Sequence, residues 1–135
     1  MPNFVIAYLG SAVVFFALDF VWLTLATPLF YRPLLGNLLT DSPNLVVAAA
    51  FYLVYLVGLV VLAILPAANA GSWIMALGLG ALLGLVAYGT YDFTNLATIR
   101  DWPAMVTVVD LLWGVSVSAI AATAGYFALR FWGAN

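Results

Sequence analysis

Asp19, Asp92 and Asp110 are carboxylic acids set in stretches of sequence that are otherwise almost wholly apolar. Two of them carry a tryptophan one helical turn later, as Asp19–Trp22 and Asp110–Trp113. The third belongs to a stripe, Tyr88–Asp92–Asn95, whose spacing puts all three side chains on one helix face. Tyr91 and Thr94 flank that stripe, and Thr107 lies one turn before Asp110. Tyr52 and Tyr55 bring phenols that can hydrogen-bond a carboxylate. Such a set can hold a proton, a cation or the polar group of a ligand, with the aromatic rings taking an apolar part. An acidic side chain at mid-membrane costs about 2.5–3.5 kcal/mol, so it faces a protein interior and finds partners there. The plainer alternative is that each Asp hydrogen-bonds across helices and fixes their register.

The elements that must position these groups follow from composition. Of 135 residues, 67% are apolar and 6% are charged. A soluble domain carries about 25% charged residues. This chain cannot cover a water-facing surface, so lipid is its solvent. About 20 apolar residues cross a bilayer as a helix, and the sequence offers four such runs. They cover about 3–27, 44–65, 72–95 and 103–131, a single transmembrane domain. Pro28 and Pro66 are expected to end the first two, and Pro103 to open the fourth. Between spans one and two lie Tyr31-Arg32-Pro33, Gly36-Asn37 and Asp41-Ser42-Pro43, all turn and breaker residues. Continuous apolar runs exclude a β-barrel, whose strands would alternate. The expected fold is therefore an all-α, polytopic four-helix membrane bundle with both termini on one side.

On the other side lie the loops with Arg32 and Arg100, here termed the Arg face. Arg130 is on the terminal side, so positive-inside counting favours a cytoplasmic Arg face. At about 1.5 Å per residue, Asp19 lies about 12 Å, Asp110 about 10 Å and Asp92 about 5 Å below that face. The three acids thus share one half of the bilayer, expected to form a carboxylate–aromatic pocket capped by Arg32 and Arg100. Three acids in low dielectric cannot all stay ionised unless paired. A proton, a cation or a loop Arg is expected among them.

Other features are easily placed. Gly78, Gly80, Gly84 and Gly89 in span three, and Gly114, Ser118, Ala121 and Gly125 in span four, suit close helix contacts. Trp73, Trp102 and Trp132 sit near span ends as interface anchors. Asp19-Phe20-Val21-Trp22-Leu23 matches Asp92-Phe93-Thr94-Asn95-Leu96 as Asp-Phe-x-x-Leu, suiting duplication of a helical hairpin. With neither Cys nor His, no soft metal site is expected. No basic run suits nucleic acid. Met1-Pro2-Asn3 lacks the positive start of a signal peptide.

The chain resembles a bacterial family of predicted membrane proteins, domain of unknown function 2177. The resemblance is carried by Leu18-Asp19-Phe20-Val21-Trp22-Leu23, Phe30-Tyr31, Tyr88-Gly89-Thr90-Tyr91-Asp92-Phe93-Thr94-Asn95-Leu96-Ala97-Thr98, Trp102-Pro103 and Asp110-Leu111-Leu112-Trp113-Gly114. It implies four helices and a multi-pass place in a bacterial inner membrane, and it supplies no reaction and no cofactor.

Four functions fit these residues. The favoured one is binding or carrying a small amphipathic or lipid-like ligand. Asp19, Asp92 and Asp110 would hold its polar group. Trp22, Trp113, Tyr52, Tyr55, Tyr88 and Tyr91 would take its apolar part, beside Asn95 and Thr107. A proton- or cation-coupled transporter is the alternative, and a thin bundle would then need to oligomerise. A subunit or assembly factor of a larger membrane complex also fits. An intramembrane enzyme fits least, because no nucleophile, His or cofactor motif is visible.

Overall fold

The computed structural model describes residues 2–134. Met1, part of the uncharged start noted above, lies outside them. Four helices are long and apolar enough to cross a membrane: α1 (Asn3–Leu38), α2 (Leu45–Ala70), α3 (Trp73–Thr98) and α4 (Ala104–Trp132). Helices are the outcome because a chain in hydrocarbon must satisfy its backbone groups internally. The chain is thus a four-helix membrane bundle.

Neither expected proline stop ends its helix. In α1 a π turn, Thr27–Tyr31, carries the chain past Pro28 and finishes two residues before Pro33. In α2 a second π turn, Val60–Ile64, finishes two residues before Pro66. Each makes a wide i→i+5 bond, Arg32 N–H to Thr27 O and Leu65 N–H to Val60 O. One extra residue per turn moves away the carbonyl that the proline ring would strike, and the missing N–H falls where no partner waits. The helices therefore bend and continue. What ends α2 is Gly71, which takes φ 66°, a left-handed conformation that glycine adopts without strain. Its N–H and that of Ser72 bond back to Ala68 O and Ala67 O, closing the last turn. Ser72 then caps α3 by accepting from Met75 N–H at 3.1 Å, and Asn44 caps α2 by accepting from Val47 N–H at 3.2 Å. Pro103 stands just before α4 rather than inside its first turn.

Helix α4 is the hub. It packs along α3 and along α1, and the π turn of α2 docks against α1, α3 and α4. Between α3 and α4 the approach is close enough to require small residues. A Cβ added at Gly80 would stand 2.7 Å from Ala122 Cβ, and one at Gly84 would strike Gly114 O and Ser118. Gly125 is likewise closed in by Ile64 and the Ala7 carbonyl, whereas a Cβ added at Gly78 would meet nothing within 4 Å. Phe15, Leu56, Leu59, Val60, Ile64 and Val117 are fully buried in the central core. Val13, Phe20, Val46 and Leu112 point outward, as lipid-facing side chains do. The Asn3 amide closes the terminal side: it accepts from Ala134 N–H at 2.9 Å and donates to Ala134 O at 3.1 Å. Both termini therefore lie together.

Candidate functional site

The acids of α1, α3 and α4 face inward at the Arg-face end of the bundle. Asp110 on α4 accepts the Tyr31 hydroxyl at 2.5 Å, and that hydroxyl accepts the Trp22 indole N–H at 3.1 Å. Asp19 is 6% exposed and accepts the Trp113 indole N–H at 3.3 Å. Trp22 and Trp113 stack with ring centroids 4.6 Å apart and planes 6° from parallel. Each tryptophan of the repeated Asp-x-x-Trp spacing thus binds the other helix's acid, Trp113 directly and Trp22 through Tyr31. The exchange locks α1 to α4 through two polar bridges and one ring stack.

Asp92 on α3 is 0% exposed, and neither carboxyl oxygen has a donor from the protein. It faces the stretch of α4 that carries Thr107 and, one turn on, Asp110. Thr107 holds this part of α3 from α4 by donating to the Asp92 carbonyl at 3.0 Å, and it accepts the Trp102 indole N–H at 3.1 Å. Deeper in the bundle, Tyr52 packs on Phe15 and Phe16 with its phenol beside Asp19. Tyr55 is hydrogen-bonded to Ser118 instead of to a carboxylate. The Tyr88 ring fills the space that Gly114 leaves, where any Cβ would collide with it.

Some expected members stand apart. Tyr91 is 55% exposed and meets the edge of Trp102, so it lies at the rim. Asn95 is half-buried one turn beyond Asp92. The expected arginine cap is not formed. Arg32 pairs with loop Asp41 at 3.6 Å, and Arg100 is exposed. Among the described residues no arginine lies within ion-pair distance of Asp19, Asp92 or Asp110. Helical rotation explains this: Arg32 follows the inward-facing Tyr31 by one residue and so turns outward, to Asp41.

Three participants escaped the sequence reading. Tyr31 looked like a loop residue between two prolines, and only the π turn returns it to the interior. Trp102 passed for an interface anchor, although its spacing of five residues from Thr107 was visible. Ser118 was read for its size and also supplies a hydroxyl.

Open grooves mark the outer surface. One of about 250 Å³ lies between α1 and α4, walled by Trp22, Val109, Leu112, Trp113 and Ser116. A larger one of about 610 Å³ lies near the termini, among Ile6, Gly10, Ala124, Phe127 and Trp132, far from the acids. The two copies of Asp-Phe-x-x-Leu present matching faces: Asp19 and Asp92 point inward, Phe20 and Phe93 outward.

Compared with known proteins, residues 4–127 match the model of a predicted membrane protein family, DUF2177. No curated protein and no solved structure matches the chain.

Proposed function

We propose, from the premise that the chain belongs to the DUF2177 family of predicted membrane proteins, that it binds a small amphipathic ligand bearing a cationic group. The reading treats the whole chain as one transmembrane domain in a bacterial inner membrane, its Arg face in the cytoplasm. The ligand enters sideways from lipid into the groove beside Trp22 and Trp113. The observation that carries this is the tryptophan stack, which walls that groove and is tied to an acid at each end. An indole face attracts a cation by about 0.5–2 kcal/mol, more when water is excluded. Asp19 and Asp110 add negative charge behind the rings, and among the described residues no arginine pairs with them. Leu112 and Val109 offer an apolar wall for a hydrocarbon tail. Tyr52, Tyr55, Tyr88, Asp92, Asn95 and Thr107 then form the packed floor of the site.

The test is a titration of the protein in lipid nanodiscs, read by tryptophan fluorescence. A single-chain trimethylammonium amphiphile is expected to bind saturably, and its alkyl sulfate counterpart is not. Asp19→Asn should weaken binding about tenfold, equal to about 1.4 kcal/mol. Equal binding of both amphiphiles, or unchanged binding in Asp19→Asn, would contradict the reading.

A further inference from the structure

A second feature lies where α3 meets α4, on the inner side of the acids that back the groove. Asp92 is fully buried, and both of its oxygens lack a protein donor. A bare buried carboxylate is among the costliest groups a protein can hold. Asp110, one turn beyond the Thr107 that bonds the Asp92 carbonyl, is also a carboxyl, and two carboxylates close together in a low-dielectric interior disfavour joint ionisation. The groups that share this end of the bundle deepen the problem. Asp19 and Tyr31 come from α1 and Tyr52 from α2, with Tyr88 inside α3 and Tyr91 at its rim. All are acids or phenols, and among the described residues none of the three arginines forms an ion pair with the acids.

Donor bookkeeping places the missing hydrogen. Trp22 N–H donates to the Tyr31 oxygen, so the Tyr31 hydroxyl is free to donate to Asp110. Asp110 is therefore an acceptor and is the one suited to carry the negative charge. Asp92 is then the group with a vacant donor role. We propose that Asp92 and Asp110 form an intramembrane proton-binding pair, with the proton on Asp92 and donated to the Asp110 carboxylate. One proton gives the orphaned carboxyl its partner and leaves a single charge, spread over a chain of aligned hydrogen bonds ending at Trp22. No group of three His, Cys, Asp or Glu placed to hold a metal ion exists among the described residues. The site stands whether or not the groove binds a ligand.

The experiment is infrared spectroscopy of the full chain in lipid at neutral pH, with deuterium exchange and carboxyl-labelled aspartate. The wild type should show a protonated carboxylic C=O stretch. It should disappear in Asp92→Asn and persist in Asp19→Asn and Asp110→Asn, since an asparagine oxygen can still accept from Asp92. The exciton couplet of the Trp22–Trp113 stack in circular dichroism reports that each variant is folded. Should Asp92→Asn lose the couplet, Tyr31→Phe decides. Removing the competing donor from Asp110 makes it a better acceptor, so the band must move. A wild-type spectrum without the band, a band that survives in folded Asp92→Asn, or one unmoved by Tyr31→Phe would overturn the assignment.

Discussion

At Tyr31 a single hydroxyl accepts from a tryptophan and donates to a carboxylate. Hydrogen bonds to charged groups contribute about 1.5–3 kcal/mol. Tyr31→Phe is therefore expected to destabilise the protein by about that amount, measured by unfolding in mixed detergent. Stability equal to wild type would mean that the bond is not made in the membrane. The stacked indoles make a second residue-level prediction. Trp22→Phe should abolish the exciton signal, and Trp102→Phe should leave it intact, because Trp102 packs on Tyr91 instead. Sequence spacing revealed the two Asp-x-x-Trp pairs and the shared depth of the acids. It did not reveal that the pairs cross over, each tryptophan serving the other helix. Partner choice between helices depends on rotation and depth together, which spacing within one helix does not specify.

Among the elements, the α3–α4 seam is held by backbone approach at Gly80, Gly84 and Gly114. Overpacking a close interface typically costs about 1–3 kcal/mol, and more where backbone blocks the new atoms. Gly84→Val should push α3 from α4, lower the unfolding temperature in detergent and separate Asp92 from Asp110. Gly78→Val, which meets nothing, should behave as wild type in the same assay, and equal effects of the two would refute the seam. The small residues were legible in the sequence, but which ones touch was not: Gly78 and Gly80 differ only in the face they occupy. The proline stops misled for a related reason. A proline need not end a helix where the turn can widen by a residue, as the π turns Thr27–Tyr31 at Pro28 and Val60–Ile64 before Pro66 do. That extension is what brings Tyr31 inside and leaves Arg32 outside.

For the whole molecule, composition alone pointed to a four-helix membrane bundle with adjacent termini, and the Asn3–Ala134 pairing joins those ends. The chain has no cysteine, so single cysteines report cleanly. Cysteines at Asn3 and Ala134 should label with an impermeant thiol reagent from one side of the membrane, and one at Asp101 from the other. Labelling of all three from one side would break the topology. Composition suggested an arginine cap that the bundle does not form, because charge counting ignores which way a residue turns on a helix that runs past its proline. The account as a whole rests on carboxyl groups of separate helices meeting inside the bilayer. With only five aspartates, solid-state NMR of carboxyl-labelled protein in lipid can resolve and assign them all. An Asp92–Asp110 carboxyl cross-peak, absent in either Asn variant, is the predicted result. Resolved signals with no such cross-peak, and contacts from Asp92 to acyl chains or bulk water instead, would contradict it.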